Sequence, residues 1–199
     1  LVFEKLAKYI GRDVEALITR ADDPHCFRLV KNRVYYISEA IMRLATNVSR
    51  DNTVSVGTCF GKITHSGKFH LLVSCLDHLH QHAKARTPLF ERAIDRAPLS
   101  RTSRPPPPSL PSQHKVWLKS GAEMTFLYGN HISKAGLGRI TEGVPQYAGV
   151  VVYNMDDLPL GFGIAAQSTE RCKDLEPTAN VVLHQGDVGE YLRLEDEMF

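Results

Sequence analysis

Residues 86–113 constrain this chain more than any other stretch. Seven of its eleven prolines fall there, four of them consecutive at 105–108, together with five arginines and scattered Ser and Thr. Proline removes a backbone donor and fits neither a helix interior nor a central strand, so Arg101-Thr102-Ser103-Arg104-Pro105-Pro106-Pro107-Pro108 builds no packed element. The 199 residues are thereby divided into 1–85, a Pro/Arg-rich disordered insertion at 86–113, and 114–199. Three uses are open to the insertion: a polyproline II ligand for a small adaptor domain, a flexible linker, or sequence that the fold does not use.

At 43% apolar and 23% charged residues, the chain as a whole has the composition of a soluble globular protein. No apolar run approaches the ~20 residues needed to cross a bilayer, so no membrane partner is expected. The opening Leu1-Val2-Phe3-Glu4-Lys5 lacks the layout of a secretory leader; without a Met, and with a helical pattern under way by Phe3, it reads as the interior of a first helix. Cys26, Cys59, Cys75 and Cys172 form no Cys-x-x-Cys pair, which points to reduced, mostly buried thiols in a cytosolic or nuclear protein. The net charge of +2 conceals an uneven distribution: +4 over 1–85, +3 over 86–113 and −5 over 114–199. A nucleic-acid site must then be a local patch rather than a whole-molecule field.

Hydrophobic spacing predicts an amphipathic helix through Phe3, Leu6, Ala7 and Ile10, stopped by Gly11. Residues 14–19, 26–30 and 34–37 read as strands of an antiparallel meander, and Ser38 as the cap of a helix running through Ile41, Met42, Leu44, Ala45 and Val48. Residues 53–56, 60–64 and 69–75 return to strand character, giving an α+β unit of about six strands. In 114–199, residues 116–118, 130–134, 149–153, 160–166, 179–184 and 190–194 read as strands and 122–128 as a helix, the pattern of a small barrel.

Several motifs imitate chemistry without its context. Gly57-Thr58-Cys59-Phe60-Gly61-Lys62-Ile63 is one residue short of a phosphate loop, and Ile63 stands where the Mg²⁺-binding hydroxyl belongs. Gly161-Phe162-Gly163-Ile164-Ala165-Ala166 satisfies Gly-x-Gly-x-x-Ala but continues a strand instead of opening a helix. His78, His80 and His82 would share one face of a strand; in a helix they fan apart, and an exposed, uncoordinated cluster is expected. No nucleotide cofactor or metal is therefore expected, and no catalytic frame supports an enzyme.

The run Lys119-Ser120-Gly121-Ala122-Glu123-Met124-Thr125-Phe126-Leu127-Tyr128-Gly129-Asn130-His131-Ile132 resembles the opening of a PUA domain, a small pseudo-barrel that binds RNA. The likeness continues through Ala135-Gly136-Leu137-Gly138-Arg139-Ile140, Gly149-Val150-Val151-Val152-Tyr153 and the Gly161–Ala166 strand. With Cys26-Phe27-Arg28-Leu29, Arg33-Val34-Tyr35-Tyr36 and Gly57–Lys62, it is similar to the Nip-seven family of eukaryotic ribosome-biogenesis factors, over residues 3–85 and 114–199. The resemblance implies an N-terminal α+β domain followed by a PUA pseudo-barrel. It also implies a nuclear, nucleolar location, large-subunit pre-ribosomal protein partners and a part in pre-rRNA processing. Members pass almost directly from a segment like His82-Ala83-Lys84-Ala85 to one like His114-Lys115-Val116-Trp117, so 86–113 reads as an insertion, and they usually begin some ten residues earlier.

Carried onto this chain, the RNA surface of PUA domains would comprise Lys119, Gly121, Ala122, Gly129, His131 and Lys134. A second segment would add Gln167, Arg171 and Lys173, less basic than in archaeal relatives. Glycine lets backbone N–H groups approach a phosphate, although Gly121 and Gly129 could equally shape the barrel. Of the aromatics, Phe126 and Phe162 are expected in the core, leaving Tyr128 and Tyr191 to stack on bases. The reading is a non-catalytic RNA-binding assembly factor that prefers U/A-rich single strands and acts as a monomer within a larger particle. Its rival is a protein-interaction scaffold docking partners on the N-terminal sheet and an acidic strand at 190–197.

Overall fold

The computed structural model describes residues 1–11, 14–18, 23–53, 55–84 and 114–194. The insertion at 86–113 and the acidic residues 195–197 lie outside the described residues, as do Thr19 and Val54 within expected strands.

Helix α1 (Val2–Ile10) buries Leu6, Tyr9 and Ile10 on one face and ends at Gly11. Helix α2 (Val14–Ile18) follows, with Leu17 fully buried and its carbonyl accepting a 2.5 Å hydrogen bond from the Tyr36 hydroxyl. Strands β1 (His25–Val30) and β2 (Arg33–Ser38) form a hairpin whose turn residues, Lys31 and Asn32, both take positive φ (46° and 66°). That turn has the twist paired strands require. Helix α3 (Glu39–Ala45), β3 (Thr58–Ile63), β4 (Phe69–Leu71) and α4 (Leu76–Lys84) complete the unit, its sheet an antiparallel meander in the order β1-β2-β3-β4.

The second unit runs β5 (His114–Leu118), α5 (Ser120–Leu127), β6 (Ile132–Ser133), β7 (Leu137–Ile140), β8 (Gly149–Tyr153), β9 (Pro159–Ala165), β10 (Asn180–Asp187) and α6 (Glu190–Arg193). Its sheet, ordered β6-β10-β9-β8-β5-β7, is antiparallel except for the β5–β8 pair and curls into a nearly closed barrel. The α+β class and the pseudo-barrel are as the sequence implies.

Strand β8 explains how the units join. All five of its residues are buried, because successive side chains point to opposite faces and both faces are covered. Val150 and Val152 pack in the barrel with Val116, Phe126 and Val181, whereas Val151 and Tyr153 pack with Leu6, Tyr9, Leu79 and Phe162. At Gly149 the backbone of α1 comes so close that a Cβ would lie 2.7 Å from the Lys8 carbonyl oxygen and 2.8 Å from the Tyr9 ring. The His80 ring nitrogen Nδ1 lies 3.0 Å from the Tyr153 hydroxyl, a further bond between the units.

Several expected elements differ. Residues 14–18 are helical, and residues 53, 55 and 56 belong to no strand, so among the described residues the first sheet has four strands rather than about six. Strand β4 stops at Leu71, where the chain tightens into a 3₁₀ turn at Val73–Cys75. Ser38 does sit before α3, but its hydroxyl donates to Asp23 (2.7 Å) rather than capping, and α3 ends at Ala45, short of Val48. The expected strand at 130–134 shortens to β6, β7 is additional, and 190–193 is helical. On α4, His78 packs on the Tyr36 and Phe60 rings and His80 on Tyr153, so both are half-buried rather than exposed; the His82 side chain is outside the described residues.

Candidate nucleic-acid interface

Strand β5 passes into α5 through Lys119, whose extended backbone (φ −70°, ψ 147°) precedes a helix with no side-chain cap. Its ammonium donates to the Ala135 carbonyl at 2.9 Å, and its N–H to the Gly136 carbonyl at 3.0 Å, so the first turn of α5 is held against the β6–β7 turn. Between them opens a groove of about 330 Å³ lined by Lys119, Gly121, Ala122, Thr125, His131 and Ser133, among others. A Cβ on Gly121 would meet no atom within 4 Å. His131 is exposed, and its Nδ1 accepts the backbone N–H of His184 at 3.2 Å, which places the neutral ring's proton on Nε2, a donor without a partner among the described residues.

The structure thus gathers Lys119, Gly121, Ala122 and His131 in one groove and leaves the other candidates outside it. Gly129 closes the far end of α5 at φ +87°, a left-handed conformation that favours glycine for backbone reasons alone. Lys134 is half-buried and turned the other way, its ammonium donating to the Cys172 carbonyl. Cys172 is buried in a 3₁₀ turn (Arg171–Lys173) that leaves Arg171 and Lys173 exposed on either side, with Gln167 half-buried upstream. Lys134 therefore belongs beside Arg171 and Lys173, whose charges are offset by the exposed Glu170 and Asp174 that flank them. Phe126 and Phe162 are core residues, while Tyr128 and Tyr191 remain exposed.

One constellation was missed in the sequence. Asp187, fully buried at the end of β10, accepts from His184 Nε2 (2.6 Å), Arg193 (2.8 Å) and the Gly189 N–H (2.8 Å). Burial pushes its carboxyl up, but the His184 and Arg193 hydrogen bonds and charges outweigh this and hold it below the usual aspartate value. Burial, then the charge of Asp187, pushes Glu190 the other way. His184, Asp187 and Glu190 bring ligand atoms within 4.8 Å of one another, yet the Arg193 guanidinium already fills the cation position against Asp187. Arg193 also donates to the Leu127 carbonyl, tying α6 to the end of α5. The available signal was Asp187-Val188-Gly189-Glu190, acids around a glycine where a helix starts.

The pattern of both units has counterparts. Residues 1–73 match the sequence model of the NIP7/UPF0113 pre-PUA domain and residues 114–196 that of the UPF0113 PUA domain. The 60S ribosome subunit biogenesis protein NIP7 homolog of Xenopus tropicalis is 51% identical over 197 residues, covering 99% of this chain and 93% of its own. The 60S ribosome subunit biogenesis protein nip7 of Schizosaccharomyces pombe is 50% identical with the same coverage. A conserved PUA domain protein from Thermoplasma acidophilum shares the fold, with a TM-score of 0.51 over 96% of this chain and 91% of its own at 12% identity. With both units matched in order and half the residues identical across nearly the whole length, the chain belongs to the NIP7 family.

Proposed function

We propose that this chain is a non-catalytic RNA-binding assembly factor of the large ribosomal subunit, acting in the nucleolus in support of pre-rRNA processing. The relatives it matches are named for 60S subunit biogenesis. The observation that carries RNA binding is the groove at the start of α5, where an uncapped helix N-terminus, the Lys119 ammonium and the His131 Nε2–H converge. The Ala122 N–H is taken by the Lys119 carbonyl (2.9 Å), leaving the amides of Ser120 and Gly121 for an outside acceptor, and the helix dipole favours an anion there. Gly121 leaves that backbone uncovered. A concavity of about 330 Å³ admits one nucleotide and no duplex. Its donors suit phosphate oxygens and the two carbonyl acceptors of uracil, in keeping with a U/A-rich single strand.

Lys134, Arg171 and Lys173 add cations beyond the groove, offset by Glu170 and Asp174. With 86–113 set aside the chain carries a net −1, so RNA affinity is modest and the monomer depends on pre-ribosomal protein neighbours. The test is a titration of labelled oligouridine at two salt concentrations. Charge reversal of Lys119 and Lys134 should weaken binding more than reversal of exposed Lys8 and Lys68. Equal losses would mean diffuse electrostatics and favour the scaffold reading. Turnover of any nucleotide by the pure protein would refute the non-catalytic part.

A further inference from the structure

The hairpin β1–β2 turns Phe27, Val34 and Tyr36 into the core, and its alternation sends Arg28, Val30, Arg33, Tyr35 and Ile37 to the opposite face. Helix α3 lies beside that face, reaching it through Met42 and Ala45, and a groove of about 890 Å³ opens between them. Its floor is apolar, with Val30, Ile37 and Met42. Its rim is basic, with Arg28, Lys31 and Arg33 against a single lining acid, Asp51. Arg28 and Lys31 have no carboxylate partner among the described residues, and Arg28 Nε meets the Met42 sulfur at 3.2 Å.

Helix α3 itself buries none of its residues. Ile41 and Leu44 are 54% and 69% exposed, Val48 just past the helix end is 51% exposed, and Val30 in the groove is 50% exposed. Single exposed hydrophobics are ordinary, but exposed Ile41 and Leu44 on the same helix whose Met42 and Ala45 line an apolar groove mark an interaction surface. Neither the insertion, itself net +3, nor the α5 groove accounts for it.

We propose that this face docks an acidic amphipathic segment of another protein. Its apolar side chains would sit against Ile41, Met42 and Leu44, and its carboxylates toward Arg28, Lys31 and Arg33. The lining decides between macromolecules: one aromatic ring, Tyr35, offers little to stacked bases, whereas Met42 and the arginines are residue types enriched at protein interfaces. The positive rim selects the charge of the partner.

The experiment installs a photoreactive residue, Leu44→p-benzoylphenylalanine, in the full chain in cells, with His65 as the control position, and maps the adduct by mass spectrometry. The expected adduct is a protein segment rich in Asp and Glu with apolar residues at helical spacing. Adducts to RNA, to a second copy of this chain, to a segment without that pattern, or at no more than control level would overturn the proposal. A synthetic peptide of the mapped segment is then titrated onto the purified chain. Leu44→Glu and Arg28→Glu should each weaken it about tenfold or more, with the thermal midpoint and oligouridine affinity unchanged. Unchanged peptide affinity would also overturn it, and oligouridine binding reports separately on the α5 groove.

Discussion

Asp187 carries a negative charge where no water reaches it, and its partners set how that charge responds to acid. Its folded pKa lies below the ordinary 3.8, so it contributes stability above that pH and loses it as pH falls through the folded value. Glu190, raised above 4.5 by burial and then by Asp187, works in the opposite sense, favouring the fold as it gains its proton. We expect α6 to detach from α5 only once the pH falls below 3.8 and through the folded value of Asp187, read by NMR shifts of Leu127 and Arg193 before global unfolding. Asp187→Ala should cost about 2 kcal/mol in urea denaturation, because it removes the acceptor shared by His184, Arg193 and the Gly189 N–H. The glycines of α5 separate by the same logic. Gly121→Ala meets open space and should leave the thermal midpoint level or slightly higher, since alanine is the better helix former, while weakening oligouridine binding. Gly129→Ala places a side chain at φ +87° and should cost about 1 kcal/mol without a matching effect on RNA.

Among the elements, those the sequence discloses have patterns that only one structure satisfies. Strand β8 reads as Gly-Val-Val-Val-Tyr, unbroken because both faces are covered; α1 keeps a clean helical stripe; Lys31-Asn32 sits between two alternating runs as a hairpin turn. Short segments fail. Residues 14–18 are too few to show a period, and the burial of Leu17 and the Tyr36 bond decide for helix. Residues 190–194 alternate weakly, and the Asp187 network, invisible in linear order, makes them a helical turn. The groove shows the same division: Lys119, Gly121 and Ala122 are adjacent in sequence, while the turning of Lys134 toward Cys172 depends on a contact 38 residues away. Because β8 serves two cores, Val151→Ala and Val152→Ala should each cost about 2 kcal/mol. Both losses should appear in one transition of the fluorescence of Trp117, the sole tryptophan, which stacks on Tyr153. Two separable transitions would contradict a shared strand. Tyr153, its phenol pushed up to about 12 by burial and by Asp157, should resist alkaline titration until the fold opens.

At the scale of the molecule, the two sheets are held by described residues on either side of 86–113: α1 on β8, Tyr9 edge-on to Phe162, His80 beside Tyr153. None of these contacts involves the insertion. Deleting residues 87–113 should therefore preserve a single cooperative melt, since loop length changes closure by only ~0.6 kcal/mol per doubling. Removing its arginines should flatten the salt dependence of RNA binding while leaving base preference unchanged. Loss of cooperativity on deletion would give the segment a structural part. By contrast, 114–199 expressed alone would bare Val151, Tyr153 and Phe162 and should aggregate unless 1–85 is supplied with it.

Strand β8 also limits how a lineage of such chains can innovate. Each position from 149 to 153 answers to one core or the other, and a slip of one residue would exchange the two sets, so variation there is confined to swaps of similar volume. Among the described residues, new chemistry has room where side chains already face outward, as at the mouth of α5 and along α3. Divergence within this architecture should accumulate on those two rims while the central strand stays almost mute.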